Sequence, residues 1–529
     1  MTRSPYAAVK RLRVIIAIAF AAVYAILFLD IRHDIPPETA RVLGSLQFIP
    51  VVMKALLSGG GALVGVGALL LLTLSYGRIY CSTFCPLGTL QDVVIRLARK
   101  MNKRKRFQYS PPPYRFHYAA LGVAILLVLS DSAVLLNLFE PYSNFGRMVN
   151  VFAAPFVMAA NNGLAAVLDK SGIPFLVPTP LRVFAFGALG GSFLFLAGLL
   201  YLSYTRGRFF CNTLCPAGAA LGMLSRFSWF RPVFNNEACN DCGACELVCK
   251  SQCVDVAKRT IDDAACVGCF NCMISCPRGG LEYRPRYSGQ KPAHSDVALN
   301  LPTHNQSRRN VLTGAMGAAV MIGKSFGPES LELLKMSGYD ESRRHPVTPP
   351  GSLALSHYTT LCTACHMCVT ACPSQVLTPA FLEYGAAGIF QPKMNYDSGY
   401  CGYECTACGT VCPTGAILPL NVATKKLTQV GRTMFIRADC VVVSKNKDCG
   451  ACSEHCPTKA VNMVPYSGTL KIPEVNDDVC IGCGACEHAC PTTPRKAIYV
   501  RALAHHRTAS PPIIHRPEKS FDSSQEFPF

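Results

Sequence analysis

The sequence predicts a multi-domain protein in which an α-helical membrane domain of about four spans precedes two cysteine-rich α+β domains. Three observations predict this fold class: apolar segments concentrated before Tyr204, a motif duplicated after two of them, and cysteines at short repeated spacings. The chain has 529 residues, a mean hydropathy of +0.26 and 29 cysteines. Its net charge of +19 does not indicate nucleic-acid binding, because the basic residues gather beside apolar segments, where membrane topology accounts for them.

Four apolar segments are long enough to cross a bilayer of about 30 Å. They are residues 14–31, 55–76, 118–138 and 183–204. A fifth apolar stretch, 151–168, contains Pro155, Asn161 and Asn162. Because these residues interrupt it, we expect an interfacial or re-entrant segment there instead of a span.

Basic residues give the orientation of the spans. They precede the first span, follow the fourth, and follow the second in the run "RLARKMNKRKRF" from Arg96. Lysine and arginine accumulate on the cytoplasmic side of a membrane. We therefore expect the N-terminus and the ends of spans two and four to face the cytoplasm.

The two cytoplasmic ends carry the same motif. "GRIYCSTFCPLG" follows span two and "GRFFCNTLCPAG" follows span four, which indicates a duplicated helical hairpin arranged in parallel about the membrane normal. On a helix, the four-residue spacing would put Cys81 and Cys85 on one face, and likewise Cys211 and Cys215. Four thiols at one membrane depth fit buried inert cysteines, a redox-active thiol site beside a quinone pocket, or a four-cysteine metal centre. The sequence leaves these alternatives open.

Between Cys239 and Cys276 the pattern C-x-x-C-x-x-C-x-x-x-C occurs twice. It is typical of a bacterial-type ferredoxin with two [4Fe–4S] clusters, in which the fourth cysteine of each run ligates the other cluster. The expected ligands of one cluster are Cys239, Cys242, Cys245 and Cys276. Those of the second are Cys266, Cys269, Cys272 and Cys249. Two features depart from the pattern: Lys250 stands where proline usually follows the fourth cysteine, and Cys253 is a spare thiol that could replace Cys249.

Four further runs predict a four-cluster polyferredoxin domain. Their cysteines are Cys362, Cys365, Cys368 and Cys372; Cys401, Cys405, Cys408 and Cys412; Cys440, Cys449, Cys452 and Cys456; and Cys480, Cys483, Cys486 and Cys490. The outer runs are regular, whereas the inner two have longer first gaps. This arrangement favours nested sharing of clusters, run one with run four and run two with run three, although adjacent sharing remains open. Structural zinc is disfavoured, because zinc ribbons separate two C-x-x-C pairs by a long gap.

The predicted boundaries follow from these motifs. The membrane domain takes residues 1–232, the two-cluster domain 233–286, a polar linker 287–306, a signal-like segment 307–326, the four-cluster domain 327–504, and a flexible tail 505–529. Six runs and two membrane pairs leave one cysteine over, Cys253. We therefore expect six [4Fe–4S] clusters, with a further metal or thiol centre possible at the membrane cysteines.

The first 280 residues resemble the NapH type of membrane ferredoxin, on the basis of four spans, two GR-x-x-C-x-x-x-CP-x-G motifs and a two-cluster domain. From Ser307 onward the chain resembles the NapG/MauM type, a twin-arginine leader followed by four cluster runs. This resemblance implies a quinol dehydrogenase unit of anaerobic respiration, with Cys81, Cys85, Cys211 and Cys215 as the positions tied to quinol oxidation. Joining both types in one polypeptide departs from the family.

Such a fusion explains why the stretch "SRRNVLTGAMGAAVMIG" is internal. Arg308 and Arg309 precede a short apolar run of the kind that the twin-arginine export route reads. We therefore expect a multi-pass protein of the bacterial inner membrane, with residues 233–306 cytoplasmic and the C-terminal domain periplasmic.

The predicted function is oxidation of menaquinol or ubiquinol and electron transfer to a periplasmic reductase or multihaem cytochrome, within a membrane complex. Asp30, Asp34, Asp131 and Glu140 are candidate proton acceptors near the outer face. Two alternatives remain. The first is an assembly factor of the CcoG/RdxA or MauM type, although the CcoG/RdxA type ends in a β-sandwich. The second is quinone reduction from a cytoplasmic donor.

Overall fold

The computed structural model describes residues 5–101, 107–172, 176–181, 186–286 and 345–512. The signal-like segment at 307–326 lies outside the described residues. The described chain forms a helical domain (5–229), a middle domain (230–286) and a C-terminal domain (345–512).

The helical domain consists of helices joined by short connections. They are α1 (Tyr6–Phe28), α2 (Pro37–Gly44), α3 (Phe48–Ser58), α4 (Gly60–Tyr76), α5 (Tyr80–Thr83), α6 (Pro86–Met101), α7 (Tyr114–Leu129), α8 (Val134–Phe139), α9 (Pro141–Met148), a π-helical turn (Val149–Ala153), α10 (Ala154–Lys170), α11 (Phe186–Arg206), α12 (Phe209–Thr213) and α13 (Pro216–Ser225).

Among the described residues, three helices are long and apolar enough to cross a membrane: α1, the continuous helix Pro141–Lys170, and α11. The bent pair α2–α3 would add a fourth candidate. The second and third predicted spans are shorter than expected, because α4 has 17 residues and α7 has 16. Gly59, with φ of 56°, separates α3 from α4, a backbone conformation that glycine adopts readily.

Both ends of the chain segment 141–187 contact the C-terminal domain. Near its start, Ser143 Oγ donates to Thr363 Oγ1 at 2.9 Å. Near its end, a Cβ on Gly187 would lie 2.4 Å from the Phe381 ring. Both ends of the segment therefore contact the same domain, although its helix Pro141–Lys170 is long and apolar enough to cross a membrane.

The middle domain is a small α+β unit. Strand β1 (Phe230–Phe234) pairs antiparallel with β4 (Leu281–Pro285), and β2 (Val254–Asp255) pairs antiparallel with β3 (Thr260–Ile261). Two short helices, α14 (Ala244–Leu247) and α15 (Asn271–Ser275), lie within the two cysteine runs.

The C-terminal domain contains three antiparallel strand pairs. These are β5 (Leu377–Pro379) with β6 (Pro392–Met394), β7 (Thr428–Phe435) with β10 (Ile498–Thr508), and β8 (Val461–Ser467) with β9 (Leu470–Val475). Its helices are α16 (Leu355–Leu361), α17 (Met367–Thr370), α18 (Ala407–Val411), α19 (Val422–Leu427), α20 (Val441–Lys445), α21 (Ala451–Glu454) and α22 (Ala485–Ala489), with 3-10 turns at Ala386–Gly388 and Arg437–Asp439.

The predicted tail begins too early. Strand β10 continues to Thr508, and the backbone N–H of His506 donates to the Leu353 carbonyl at 2.7 Å. The chain from 505 to 508 therefore belongs to the folded C-terminal domain.

Helix α1 connects the two cysteine-rich domains. At its start, the Tyr6 ring stacks on Phe270 of the middle domain at 6.3 Å, and the Tyr6 hydroxyl accepts from the Tyr283 N–H at 3.1 Å. At its end, the Phe28 carbonyl accepts from Thr370 Oγ1 of the C-terminal domain at 3.3 Å. A helix of 23 residues is about 34 Å long. The middle and C-terminal domains therefore contact opposite ends of a helix long enough to cross a bilayer.

Candidate metal and thiol centres

The cysteines of the middle domain surround two cavities. The first is lined by Cys239, Cys242, Cys245 and Cys276. The second is lined by Cys249, Cys253, Cys266, Cys269 and Cys272. The fourth cysteine of each run thus crosses to the cavity of the other run, as in a two-cluster ferredoxin.

The spare thiol lies in the second cavity. Cys253 Sγ is 3.5 Å from Cys249 Sγ, and the Cys253 N–H donates to the same sulfur at 3.5 Å. The thiol hydrogen bond from Cys253 lowers the pKa of Cys249, whereas the same bond raises the pKa of Cys253. Cys249 is therefore the more acidic thiol of the pair, and the thiolate is the form that binds metal.

The C-terminal cysteines pair by adjacent runs, so the nested arrangement favoured by the sequence is wrong. One cavity is lined by Cys362, Cys365, Cys368 and Cys412. Another is lined by Cys440, Cys449, Cys452 and Cys490. Cys372 of run one is close enough to Cys401 and Cys408 of run two to interact with them electrostatically. The same holds for Cys456 of run three with Cys480 and Cys483 of run four.

Short hairpins explain the adjacent pairing. The β5–β6 pair folds run two back against run one, and the β8–β9 pair does the same for runs three and four. The long first gap of run three is occupied by α20, which directly follows Cys440. Because each hairpin closes a short loop, adjacent pairing needs no long-range chain crossing.

The two pairs of runs meet through run two and run four. The backbone N–H of Cys401 in run two donates to the Cys483 carbonyl of run four at 2.9 Å. The four thiol sets therefore lie in a row. The set that contains Cys362 is followed by the set that contains Cys401, then by the set that contains Cys480, and last by the set that contains Cys440.

Backbone conformation distinguishes the regular runs from the irregular ones. In the four regular runs of the chain, the residue after the second cysteine has positive φ, and these residues are Gly243, Phe270, His366 and Gly484. In the two irregular runs, Thr406 and Gly450 have φ of −121° and −130°. The longer first gap therefore changes the turn that precedes the short helix of each run.

The thiol sets fit [4Fe–4S] clusters. Each supplies one thiolate per iron, which this cluster type requires. Among the residues that the structure describes, no three cysteine, histidine, aspartate or glutamate side chains converge in the manner of a single-ion site. The thiols instead surround cavities.

The four cysteines of the duplicated motif are buried, as Cys81, Cys85, Cys211 and Cys215 are each at most 5 % exposed. Cys215 is close enough to the other three thiols to interact with each of them electrostatically. They do not share one helix face within each copy, because α5 ends at Thr83 and the next helix begins at Pro86. The second cysteine of each copy instead precedes a new helix. The Gly88 N–H donates to Cys85 Sγ at 3.4 Å, and the Gly218 N–H to Cys215 Sγ at 3.3 Å.

Each copy of the motif is held by the arginine of the other copy. Arg208 Nη1 donates to the Cys81 carbonyl at 2.7 Å, and Arg78 Nη2 donates to the Cys211 carbonyl at 3.0 Å. Both arginines are buried, with exposed fractions of 0 % and 1 %. This reciprocal exchange explains why the motif begins with Gly-Arg in both copies.

The glycine that ends each motif is required by close backbone contact. A Cβ on Gly88 would lie 2.2 Å from the Cys81 carbonyl oxygen, and one on Gly218 would lie 2.2 Å from the Cys211 carbonyl oxygen. No side chain fits at either position without displacing the loop that carries the first thiol.

Asp92 joins three parts of the chain, which the sequence did not predict. Its carboxylate lies 2.9 Å from Arg208 Nε, 2.9 Å from Lys250 Nζ and 3.8 Å from Arg13 Nη1. Lys250 is the residue that replaces the usual proline in the middle domain. That departure from the ferredoxin pattern was the available signal for this contact.

Three of the four acidic residues considered as proton acceptors have structural partners. Glu140 is buried and caps α9, accepting from the Tyr142 N–H at 3.0 Å and from the Ser143 N–H. Asp30 accepts from the backbone of Asp34 at 3.1 Å, and Asp131 accepts from Thr360 Oγ1 at 3.3 Å.

Two family models match the regions that carry these thiols. A model described as a 4Fe-4S binding domain matches residues 58–104 and 188–236, the two copies of the duplicated motif. A model described as a 4Fe-4S dicluster domain matches residues 361–416 and 447–493. The first dicluster match spans runs one and two, and the second spans run four and run three without Cys440, in agreement with the adjacent pairing. The fold and its thiol sets thus define an iron–sulfur electron-transfer protein of the polyferredoxin type.

Comparison with known proteins identifies relatives of the chain within this class of iron–sulfur proteins. The chain is 30% identical to the ferredoxin-type protein NapF of Escherichia coli over 136 residues, 26% of this chain and 74% of NapF. It is 30% identical to the methylamine utilization ferredoxin-type protein MauM of Methylorubrum extorquens over 188 residues, 33% of this chain and 80% of MauM. The chain belongs to this family of ferredoxin-type electron-transfer proteins.

A further relative matches the chain over a longer stretch. YccM of Escherichia coli, named as an electron transport protein, is 27% identical over 243 residues, which is 44% of this chain and 57% of YccM. The chain thus spans less than two thirds of YccM. No solved structure matches the chain.

Proposed function

We propose that the protein oxidises quinol in its helical domain and delivers the electrons to the C-terminal domain on the outer face of the membrane. One observation carries this proposal: the middle and C-terminal domains contact opposite ends of α1, with the duplicated thiols buried in the helical domain. If α1 crosses the bilayer with its basic N-terminus inside, the C-terminal domain lies outside. Arg308 and Arg309 would then direct its export.

The cysteines of the cluster runs and those of the duplicated motif have different proposed roles. Six thiol sets would hold six [4Fe–4S] clusters, which supply one-electron carriers when bound. Cys81, Cys85, Cys211 and Cys215 are the proposed positions for quinol-linked redox chemistry. Because these four thiols are buried in the helical domain, water is excluded from them. Arg78 and Arg208 fix the backbone that carries the thiols.

The exit from the C-terminal domain is proposed at the thiol set that begins with Cys440, the last in the order found above. The loop between Cys440 and Cys449 exposes Lys445 and Lys447. A partner with an acidic docking face, such as a periplasmic reductase or multihaem cytochrome, would complement these charges.

A direct test measures reduction of anaerobic full-length protein in nanodiscs by menadiol. We expect visible absorbance to bleach in the wild type and in Thr83→Ser plus Thr213→Ser, a matched pair beside the thiols. Cys85→Ser plus Cys215→Ser should abolish menadiol reduction while leaving dithionite reduction of the remaining clusters intact. Equal menadiol rates in both variants would reject quinol oxidation at these thiols.

Topology is tested separately. A reporter fused after Phe529 should be active only in the periplasm, and Arg308→Lys plus Arg309→Lys should abolish its activity. Periplasmic activity that survives this substitution would reject the twin-arginine route, and cytoplasmic activity in both proteins would reject an outer C-terminal domain.

The resemblance to the MauM type leaves a second candidate, in which the same electrons serve the maturation of a partner enzyme instead of respiration. Deletion of the gene would then leave the partner enzyme present but without its mature cofactor. A respiratory role predicts a mature partner that receives no electrons from quinol.

A further inference from the structure

We infer that Cys81, Cys85, Cys211 and Cys215 together hold one iron–sulfur centre, shared between the two copies of the duplicated motif. This inference goes beyond the six clusters of the regular and irregular runs, and it does not depend on whether quinol is the electron donor. Three independent features of the described residues support it: a buried cation, a set of N–H donors directed at the sulfurs, and a position between two cysteine-rich domains.

The first feature is the charge of Arg78. Its guanidinium is fully buried and donates to Asn212 Oδ1 at 2.9 Å, to the Ala264 carbonyl at 2.7 Å and to the Cys211 carbonyl at 3.0 Å. All of these acceptors are uncharged. An arginine stays protonated in proteins, and a buried charge without a counter-charge is costly. Anionic thiolates in the adjacent cluster would supply that counter-charge, and buried cysteines remain thiolates when they bind metal.

The second feature is the set of donors around the sulfurs. The N–H groups of Gly88 and Gly218 already donate to Cys85 and Cys215. Gln91 is completely buried, and its Oε1 accepts from Cys211 Sγ at 3.5 Å, but its Nε2 has no hydrogen-bond partner. A buried donor without a hydrogen-bond partner is destabilising. A sulfide or thiolate of a bound centre is the acceptor that would satisfy it.

The third feature is the path on the side of the middle domain. A Cβ on Gly268, the neighbour of Cys269, would lie 3.7 Å from Ile79 Cβ in the first motif. Val267 belongs to the same buried cluster as the four thiols. The second cavity of the middle domain is therefore packed directly against the motif.

The path on the opposite side is aromatic. The Phe84 ring, next to Cys85, lies 4.8 Å from Phe20, and the Tyr24 ring lies 5.7 Å from Tyr142. One turn beyond Tyr142, a Cβ on Gly146 would lie 2.5 Å from the Cys365 carbonyl oxygen. Because the Phe20 and Tyr24 rings are 6.2 Å apart, buried and half-buried aromatic side chains connect the four thiols to the first thiol set of the C-terminal domain. A redox centre at the four thiols would join the two cysteine-rich domains.

The test counts iron and acid-labile sulfide per chain in full-length protein purified without oxygen. Substitution of Cys85→Ser plus Cys215→Ser should lower both by about two to four atoms, the content of one [2Fe–2S] or [4Fe–4S] centre. The control Thr83→Ser plus Thr213→Ser should retain the wild-type content. Unchanged iron and sulfide in the cysteine variant would overturn the inference, as would loss of a metal without sulfide.

A second measurement covers the case in which the cysteine variant does not fold. Arg78→Met keeps all thiols, so the iron content should stay at the wild-type value. Removal of the adjacent positive charge should lower the midpoint potential of one spectroscopically distinct centre and leave the others unchanged. Potentials that are all unaffected would overturn the inference. Because neither measurement uses quinol, failure of quinol oxidation would be distinguishable from failure of this site.

Discussion

The two copies of the duplicated motif hold the same backbone but balance the charge of their arginines differently. Arg208, which supports the first copy, is ion-paired with Asp92, whereas Arg78, which supports the second, donates to the uncharged oxygens of Asn212, Ala264 and Cys211. The position in the second copy that corresponds to Asp92 is Gly222. In both copies an arginine holds the backbone of the thiol loop, but only one of the two arginines has a carboxylate partner.

The surroundings of Gly222 explain the difference. A Cβ at that position would lie 2.9 Å from the Ala264 carbonyl of the middle domain. No aspartate fits there, because the middle domain packs against this copy. The middle domain thus occupies the place of a carboxylate beside Arg78. Backbone carbonyls surround Arg78, whereas Asp92 lies beside the equivalent Arg208.

The largest effect is expected at the glycines that both copies share. Gly88→Ala and Gly218→Ala should each destabilise the helical domain by about 5 kcal/mol, because the new Cβ overlaps a backbone carbonyl. Thermal unfolding in detergent measures the loss. Gly198→Ala in α11 is the control, since no atom lies within 4 Å of its Cβ. A normal melting temperature for either motif variant would show that the copies are not equivalent in backbone.

The next largest effect concerns the ion pair that only one arginine has. Arg208→Met should cost about 3–5 kcal/mol, because it removes one partner of a buried pair. Asp92→Asn added to Arg208→Met should recover part of that loss. A double-mutant cycle on the melting curves gives the coupling energy. Purely additive effects of the two substitutions would contradict a direct interaction.

A smaller effect is expected from making the second copy resemble the first. Asn212 corresponds to Ser82, and Asn212→Ser removes the acceptor for Arg78 and the donor to the Ser251 carbonyl. The expected cost is about 1–3 kcal/mol, since hydrogen bonds to a charged group are lost. Ser82→Ala, measured in the same way, should cost less. Equal costs would show that Arg78 does not depend on Asn212.

The smallest effect is expected at the outer edge of the Asp92 cluster. Lys250→Met should cost about 1 kcal/mol or less, because two cations remain near Asp92. Limited proteolysis of the connection between helical and middle domains is the sensitive measurement, with Lys258→Met on an exposed part of the middle domain as control. Identical cleavage rates would show that Lys250 does not hold the domains together.

Regular cysteine spacing made the ladder positions predictable, because each short run folds locally around its own cavity. The pairing of runs was not predictable, since it depends on β5 and β6, strands of three residues that contain prolines and carry no alternating pattern. The repeat of Gly-Arg and Cys-Pro-x-Gly located the buried thiols. Their helix geometry was predicted wrongly, because spacing alone does not reveal that the helix breaks at Phe84.

Long-range contacts account for the remaining misses. In the sequence, Asp92 has the pattern of a polar residue on an amphipathic helix. Its partners Arg13 and Arg208 are distant in the chain, and only the fold places them beside it. Likewise, nothing local to His506 indicates a strand. The edge of β10 is set by its pairing with β7, whose sequence lies some 70 residues earlier.

The contact of Lys250 with Asp92 bears on how the middle domain operates. Small ferredoxins commonly diffuse between donors and acceptors, and a ferredoxin on a loose tether would still swing. Here the end of a ligand run is clamped to the helical domain by its side chain and also by its carbonyl, which accepts from the Arg208 N–H at 3.0 Å. The middle domain is thus fixed to the helical domain, and any protein that exchanges electrons with it must come to it.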